Sequence, residues 1–201
     1  MEENQSPFDP VSSDPARPHG VSAPLPLPPN EQTTDPRVAQ IIHEIETQLG
    51  FGVVPNLLRV LVPAPDVLEA VWLALQAVIL HGELPRTYKE LIGVVIAGAR
   101  GSRYVATVHT YGLTTMGVSA EVIATVCSGE IGELTVAEQA GMHYALRTVT
   151  EPQLLGKPAL QALRTVGFTD TTLLELCNTI ALFSMLCGLA DATQVPIDAI
   201  E

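Results

Sequence analysis

Basic residues are scarce in this chain. Ten lysines and arginines stand against 22 aspartates and glutamates, a formal net charge of −12 at pH 7 in 201 residues. Gripping a nucleic acid or an anionic bilayer by charge requires a cationic patch, so neither partner class is expected. Cysteine is rarer still. Cys127, Cys177 and Cys187 form no CxxC pair, and an odd number gives no disulfide framework. If Cys177 and Cys187 share one helix, they stand about 15 Å apart along it, too far for a direct bridge. All three read as small buried hydrophobes. The histidines are scattered as His19, His43, His81, His109 and His143 without an HxxxH pair, so no metal and no cofactor is expected. No apolar run of roughly 18 residues has the flanks of a membrane span, and residues 91–99 and 180–190 suit buried core helices. The start, Met-Glu-Glu followed by prolines, lacks the basic residues and apolar core of a secretory signal, which predicts a cytoplasmic location.

What is present is aliphatic. The chain is 47% hydrophobic and only 16% charged, the balance of one sizeable globular core. Residues 1–34 depart from this, with eight prolines before Asn30 and Phe8 as their one aromatic residue. They read as a proline-rich flexible tail, mobile or draped over a neighbour. Residues 35–201 read as a helical domain. Asp35-Pro36 caps a helix with apolar positions Val38, Ile41, Ile42, Ile45 and Leu49, ended by Gly50. A short helix fits between Pro55 and Pro63, and another from Asp66 to Leu80. A long one runs from Pro85 to Arg100. Ser102 is placed to cap the next, to Met116, and Ser119 one ending near Cys127. Thr135 and Glu138 form a capping box for a helix to about Thr150. Pro158 begins a shorter helix, and Thr169-Asp170 opens the last, to about Ala192. No segment alternates with period two between hairpin turns. The fold class is all-α, a bundle of about nine helices.

Within this frame one stretch carries chemistry. Glu90 stands beside the apolar run 91–97, broad enough to bury that helix nearly all round, so its carboxylate either reaches solvent or is held inside by a partner. On the following helix, Ser102, Val105 and His109 share one stripe, extended by Val108, Gly112, Leu113 and Met116. Ser102 and His109 are separated by about 10.5 Å of helix, beyond the reach of a nucleophile–base pair. Val105, one turn before His109, has no proton to give. Ser102 therefore reads as a cap rather than as a nucleophile.

These residues, together with "FGVVPNLLRVLVPAPDVLEAVW", "GELPRTYKELIGVVIA", "YVATVHTYGLTTMGVSAEVI" and "LTVAEQAGMHYALRTVTEP", resemble the alkylhydroperoxidase D-like/carboxymuconolactone decarboxylase superfamily, in particular its peroxidase-related branch. The similarity runs from about Val38 to Val195. It implies an AhpD-like multi-helix bundle assembled as a trimer or hexamer. It also implies a site in which a glutamate and a histidine relay protons for a Cys-x-x-Cys pair at a helix start. The glutamate falls on Glu90 and the histidine on His109. The two cysteines fall on Ser102 and Val105, so the thiol pair is missing. Cys187, in "FSMLCGLAD", is the one thiol the resemblance brings toward the same region.

Three functions follow. The first is a peroxidase-related, antioxidant-type oxidoreductase by family with little or no thiol peroxidase activity. The second is a cofactor-free lyase or isomerase that moves a proton between Glu90, His109 and a small carboxylated or lactone substrate. There Tyr104 and Tyr111 could assist, Tyr104 reading more as a packing residue, and Arg100 and Arg103 are the nearest cations. The third is a non-catalytic oligomeric binding protein.

Overall fold

The computed structural model describes residues 25, 27–28, 34–50, 52–128 and 134–199, so most of the 1–34 segment lies outside the described residues. Nine α-helices and no strands make up the described chain. They are α1 (Pro36–Gln48), α2 (Asn56–Arg59), α3 (Pro65–Leu75), α4 (Arg86–Arg100), α5 (Arg103–Thr115), α6 (Ala120–Cys127), α7 (Val136–Thr150), α8 (Lys157–Thr165) and α9 (Asp170–Thr193). The expected all-α bundle is observed, and most helix starts follow the capping residues. Asp35 accepts from the Arg37 amide, with Pro36 in the first turn of α1. Ser119 and the Thr135–Glu138 box cap α6 and α7.

Two features differ from expectation. The helix read as Asp66–Leu80 begins one residue earlier and changes at Gln76 into a π-helical turn, Gln76–Leu80. The apolar periodicity continues across that change, which is why hydrophobic spacing reads it as one helix. Ser102 does occupy the N-cap position of α5, but its side chain makes no capping bond. Its hydroxyl donates instead to Asp191 Oδ1 of α9, at 3.0 Å.

The core is organised around α4, which packs against α5, α6, α7 and α9. Ten consecutive residues, Tyr88 to Ala97, are buried, as the uninterrupted apolar run requires. Three polar side chains enter this helix, and each has a partner. The Tyr88 hydroxyl donates to the Glu138 carbonyl at 2.7 Å. Lys89, completely buried, donates to the His81 carbonyl at 2.5 Å and lies 3.3 Å from Glu175 Oε2. Glu175 also accepts from the amides of Glu83 and Leu84 at 2.7 and 2.9 Å. This ties the loop before α4 to α9 and fixes where α4 starts. The third polar residue is Glu90. At the other end of α4, Gly101 takes a left-handed conformation (φ 70°), which an L side chain adopts only with strain. The turn there sends α5 back along α4, setting His109 against Glu90.

α9 is the one described helix long and apolar enough to cross a membrane, and half of its apolar window is buried inside the domain, the pattern of a core helix. Cys177 and Cys187 do share α9, and all three cysteines are free. Cys187 is buried as expected, whereas Cys127 and Cys177 are only half-buried, because each lies at the margin of its helix's core-facing side.

Candidate active site

Glu90 and His109 meet. His109 Nδ1 lies 2.5 Å from Glu90 Oε2, across the α4–α5 contact. The Glu90 side chain is 3% exposed and that of His109 14%. Of the two outcomes open to a carboxylate beside an apolar run, the protein adopts the inward one. On its other side Glu90 is reached by Arg86, one turn earlier on α4, with Nε 3.5 Å from Oε1. Arg86 is anchored as well, its Nη2 donating to the Leu49 carbonyl at the end of α1, at 2.8 Å.

The electrostatics of this trio define its chemistry. Burial pushes the Glu90 carboxyl up, but the nearby His109 and Arg86 outweigh it and hold the carboxyl below the usual carboxylate range. Glu90 is therefore an acceptor at neutral pH, and His109 Nδ1 is the donor in the bond between them. In the neutral ring that leaves the other nitrogen, Nε2, with its lone pair. Among the described residues the one buried side-chain polar atom without a partner is Arg59 Nε. The His109 side chain is 14% exposed, and among the described residues no hydrogen bond engages its Nε2. The ring is held by Phe183 of α9 in an edge-to-face contact, centroids 4.8 Å apart and planes at 77°. Phe183 can come this close only because residue 93 is glycine. A Cβ built there would lie 2.1 Å from Phe183 Cε1.

The expected cysteine positions are occupied by groups that do no redox chemistry. Val105 is buried. Ser102 is buried and bonded to Asp191, with Cys187 as a neighbour. Cys187 does arrive beside the first missing cysteine, as the resemblance implies. There, however, burial pushes its thiol up to about 11, against the smaller opposing effects of Ser102 and Arg100. A thiol in that state is not a nucleophile at neutral pH.

Other sequence-based candidates are placed elsewhere. Tyr104 is buried and belongs to a structural cluster. Its hydroxyl donates to Asp198 Oδ2 at 2.6 Å and accepts from the Leu57 amide at 2.9 Å. Tyr111 is half-buried on α5. Arg100 and Arg103 are exposed, and the cation that reaches Glu90 is Arg86 instead. The i, i+4 spacing of Arg86 and Glu90 is a readable helix signal. Phe183 and Gly93, far apart in sequence, offer none. Among the described residues no group of three His, Cys, Asp or Glu side chains could hold a metal ion.

A buried carboxylate–imidazole pair between two central helices of an all-α bundle is an arrangement able to hold and pass on a proton. The model of the Carboxymuconolactone decarboxylase family matches residues 65–144, which include Glu90, Ser102, Val105 and His109. The fold is shared with an uncharacterized peroxidase-related protein from Silicibacter sp. TM1040, at TM-score 0.78 and 18% identity over 88% of this chain and 92% of that one. It is shared equally with an alkylhydroperoxidase AhpD core protein, also peroxidase-related, from Ralstonia eutropha JMP134. There the TM-score is 0.78 and the identity 22%, over 90% and 95% of the two chains. A cysteine-to-alanine variant of the debrominase Bmp8, in complex with 2,3,4-tribromopyrrole, follows at TM-score 0.72 and 19% identity, over 82% of this chain and 87% of that one. No curated protein matches the chain in sequence.

Proposed function

We propose that this protein is a thiol-independent member of the alkylhydroperoxidase D-like/carboxymuconolactone decarboxylase superfamily, which moves a proton on a small molecule through Glu90 and His109 and has little or no CxxC-type peroxidase activity. The observation that carries this reading is the 2.5 Å contact of a buried, ionised Glu90 with His109 Nδ1. The carboxylate fixes the ring and stabilises the imidazolium formed when Nε2 takes a proton, so Nε2 acts as general base and then returns the proton to another substrate atom. The reaction class is a lyase or isomerase step on a small lactone or carboxylated cyclic compound. The structural likeness to a debrominase solved with a tribrominated pyrrole agrees with a small cyclic substrate. The protein works as a homo-oligomer, a trimer or hexamer by its family resemblance, and the exposed Leu174 and Met185 of α9 give it apolar surface to do so. Light scattering tests that state.

Turnover on a screened panel of lactones and carboxylated rings decides the enzymatic reading. Glu90→Gln and His109→Ala are each expected to lower it by roughly 10²–10⁴-fold, and unchanged rates in both would remove the proposal. Robust hydroperoxide turnover with a thiol reductant would overturn its redox half. A non-catalytic binding role is favoured by one observation, the close packing of His109 on Phe183. That role predicts lower melting temperatures in both variants and no turnover on any member of the panel.

A further inference from the structure

Arg86 is not among the candidate site residues that the sequence singles out, yet it completes the site. Its guanidinium spans two fixed groups. Nε faces Glu90 Oε1 at 3.5 Å, and Nη2 donates to the Leu49 carbonyl at 2.8 Å. The second contact is with the C-terminal end of α1, where unpaired carbonyls carry partial negative charge and attract cations. Two arms of one planar group thus hold the charge beside Glu90, an arrangement that the flexible ammonium of a lysine cannot reproduce.

Glu90 needs such a neighbour. Its side chain is 3% exposed, and an isolated carboxylate taken from water pays a large desolvation penalty, which it escapes by taking up a proton. The titratable and charged groups that face it are His109, from α5, and Arg86, from its own helix. α9 presents the uncharged ring of Phe183 to the His109 side of the site. The nearest charged pair on α4, Lys89 with Glu175, satisfies itself and the preceding loop. Were Glu90 protonated, its hydroxyl could donate to Nδ1. The imidazole would then carry its proton on Nε2 and lose the lone pair on which base catalysis depends.

We infer that Arg86 is a positioning residue that keeps Glu90 ionised and so fixes His109 in the tautomer with Nδ1 protonated and Nε2 free. Resting on the proposed proton-transfer role, this assigns Arg86 the task of setting the direction in which the pair works. Arg86 itself touches no reacting atom.

The experiment needs no substrate, so its failure is distinct from failure of the proposed function. Wild type, Arg86→Gln and Arg86→Lys are labelled with ¹⁵N-histidine and ¹³C-glutamate, and far-ultraviolet circular dichroism confirms the helical fold of each. NMR then follows the His109 ring nitrogens and the Glu90 carboxyl as pH is varied. In wild type the neutral ring is expected as the Nδ1–H tautomer beside an ionised Glu90. In Arg86→Gln the Glu90 titration midpoint is expected to rise by at least about one pH unit, with the Nε2–H form gaining population. Arg86→Lys, which keeps the charge but not the fork, is expected to restore about half of that shift, and it carries the test at smaller amplitude should the glutamine variant fail to fold. An unchanged Glu90 midpoint and tautomer in the folded Arg86→Gln protein would overturn the inference. So would equal effects of glutamine and lysine, because the charge would then not be the cause.

Discussion

Gly93→Ala sets two effects of opposite sign against each other. In an exposed helix, replacing glycine by alanine stabilises by about 1 kcal/mol through lower backbone entropy in the unfolded chain. At position 93 the new methyl would lie 2.1 Å from Phe183 Cε1 and 2.2 Å from Cζ. An ordinary contact begins near 3.4 Å, so the ring must move by at least 1.3 Å. It has little freedom to do so, since Phe183 is fully buried and leans on His109. Overpacking costs about 1–3 kcal/mol, and an overlap this deep belongs in the upper part of that range, about 2–3 kcal/mol, which should outweigh the propensity gain and leave a net loss of about 1–2 kcal/mol. For a chain of this size that corresponds to a drop in melting temperature of roughly 2–8 °C, measured by calorimetry. The double variant with Phe183→Leu removes the obstructing ring edge. In that background Gly93→Ala should cost nothing or stabilise, a coupling of about 1–3 kcal/mol. An unchanged or raised melting temperature in the single variant would refute the reasoning, because it would mean that the ring relaxes freely and does not clamp His109.

The other predictions concern the thiols and the carboxylates. With its thiol pushed up to about 11 by burial, Cys187 should carry only about one thiolate in ten thousand at pH 7. Iodoacetamide should therefore modify Cys127 and Cys177 well before Cys187 in the folded protein, and mass spectrometry showing Cys187 labelled first would contradict this. Restoring both thiols, as Ser102→Cys with Val105→Cys, should produce hydroperoxide turnover at least about tenfold above wild type, since Glu90 and His109 are already in place; no gain would show that the pair cannot serve a thiol. Glu90, Glu175 and Glu44 all have carboxyls held below the usual 4.5. For Glu90 and Glu175 burial acts in the opposite direction and their partners prevail. A group depressed in the folded state contributes stability that is fully present above its unfolded value, about pH 4.5, and is lost as pH falls through the lower folded value. Acid titration of the denaturation midpoint should therefore steepen below about pH 4.5, and Glu90→Gln should flatten that slope; a parallel curve would exclude Glu90 from the linkage.

The sequence alone determined the helical class and most helix starts, and its family resemblance pointed to Glu90 and His109 as the two groups of the candidate site. Those features are written locally: a capping side chain acts within three residues, and an apolar stripe repeats within one turn. The absence of thiols at positions 102 and 105 was equally plain, because it concerns which atoms a residue has. Tertiary structure decided whether Glu90 faced water or the core, since either outcome suits a carboxylate in the first turns of a helix. It turned the Ser102 hydroxyl from its own helix end to Asp191, a choice between two partners of which only the nearer was visible along the chain. It also made Arg86, rather than Arg100 or Arg103, the cation of the site, and set Phe183 in the space left by Gly93. Each of these depends on how α1, α4, α5 and α9 approach one another, and such distances arise only once the chain has packed.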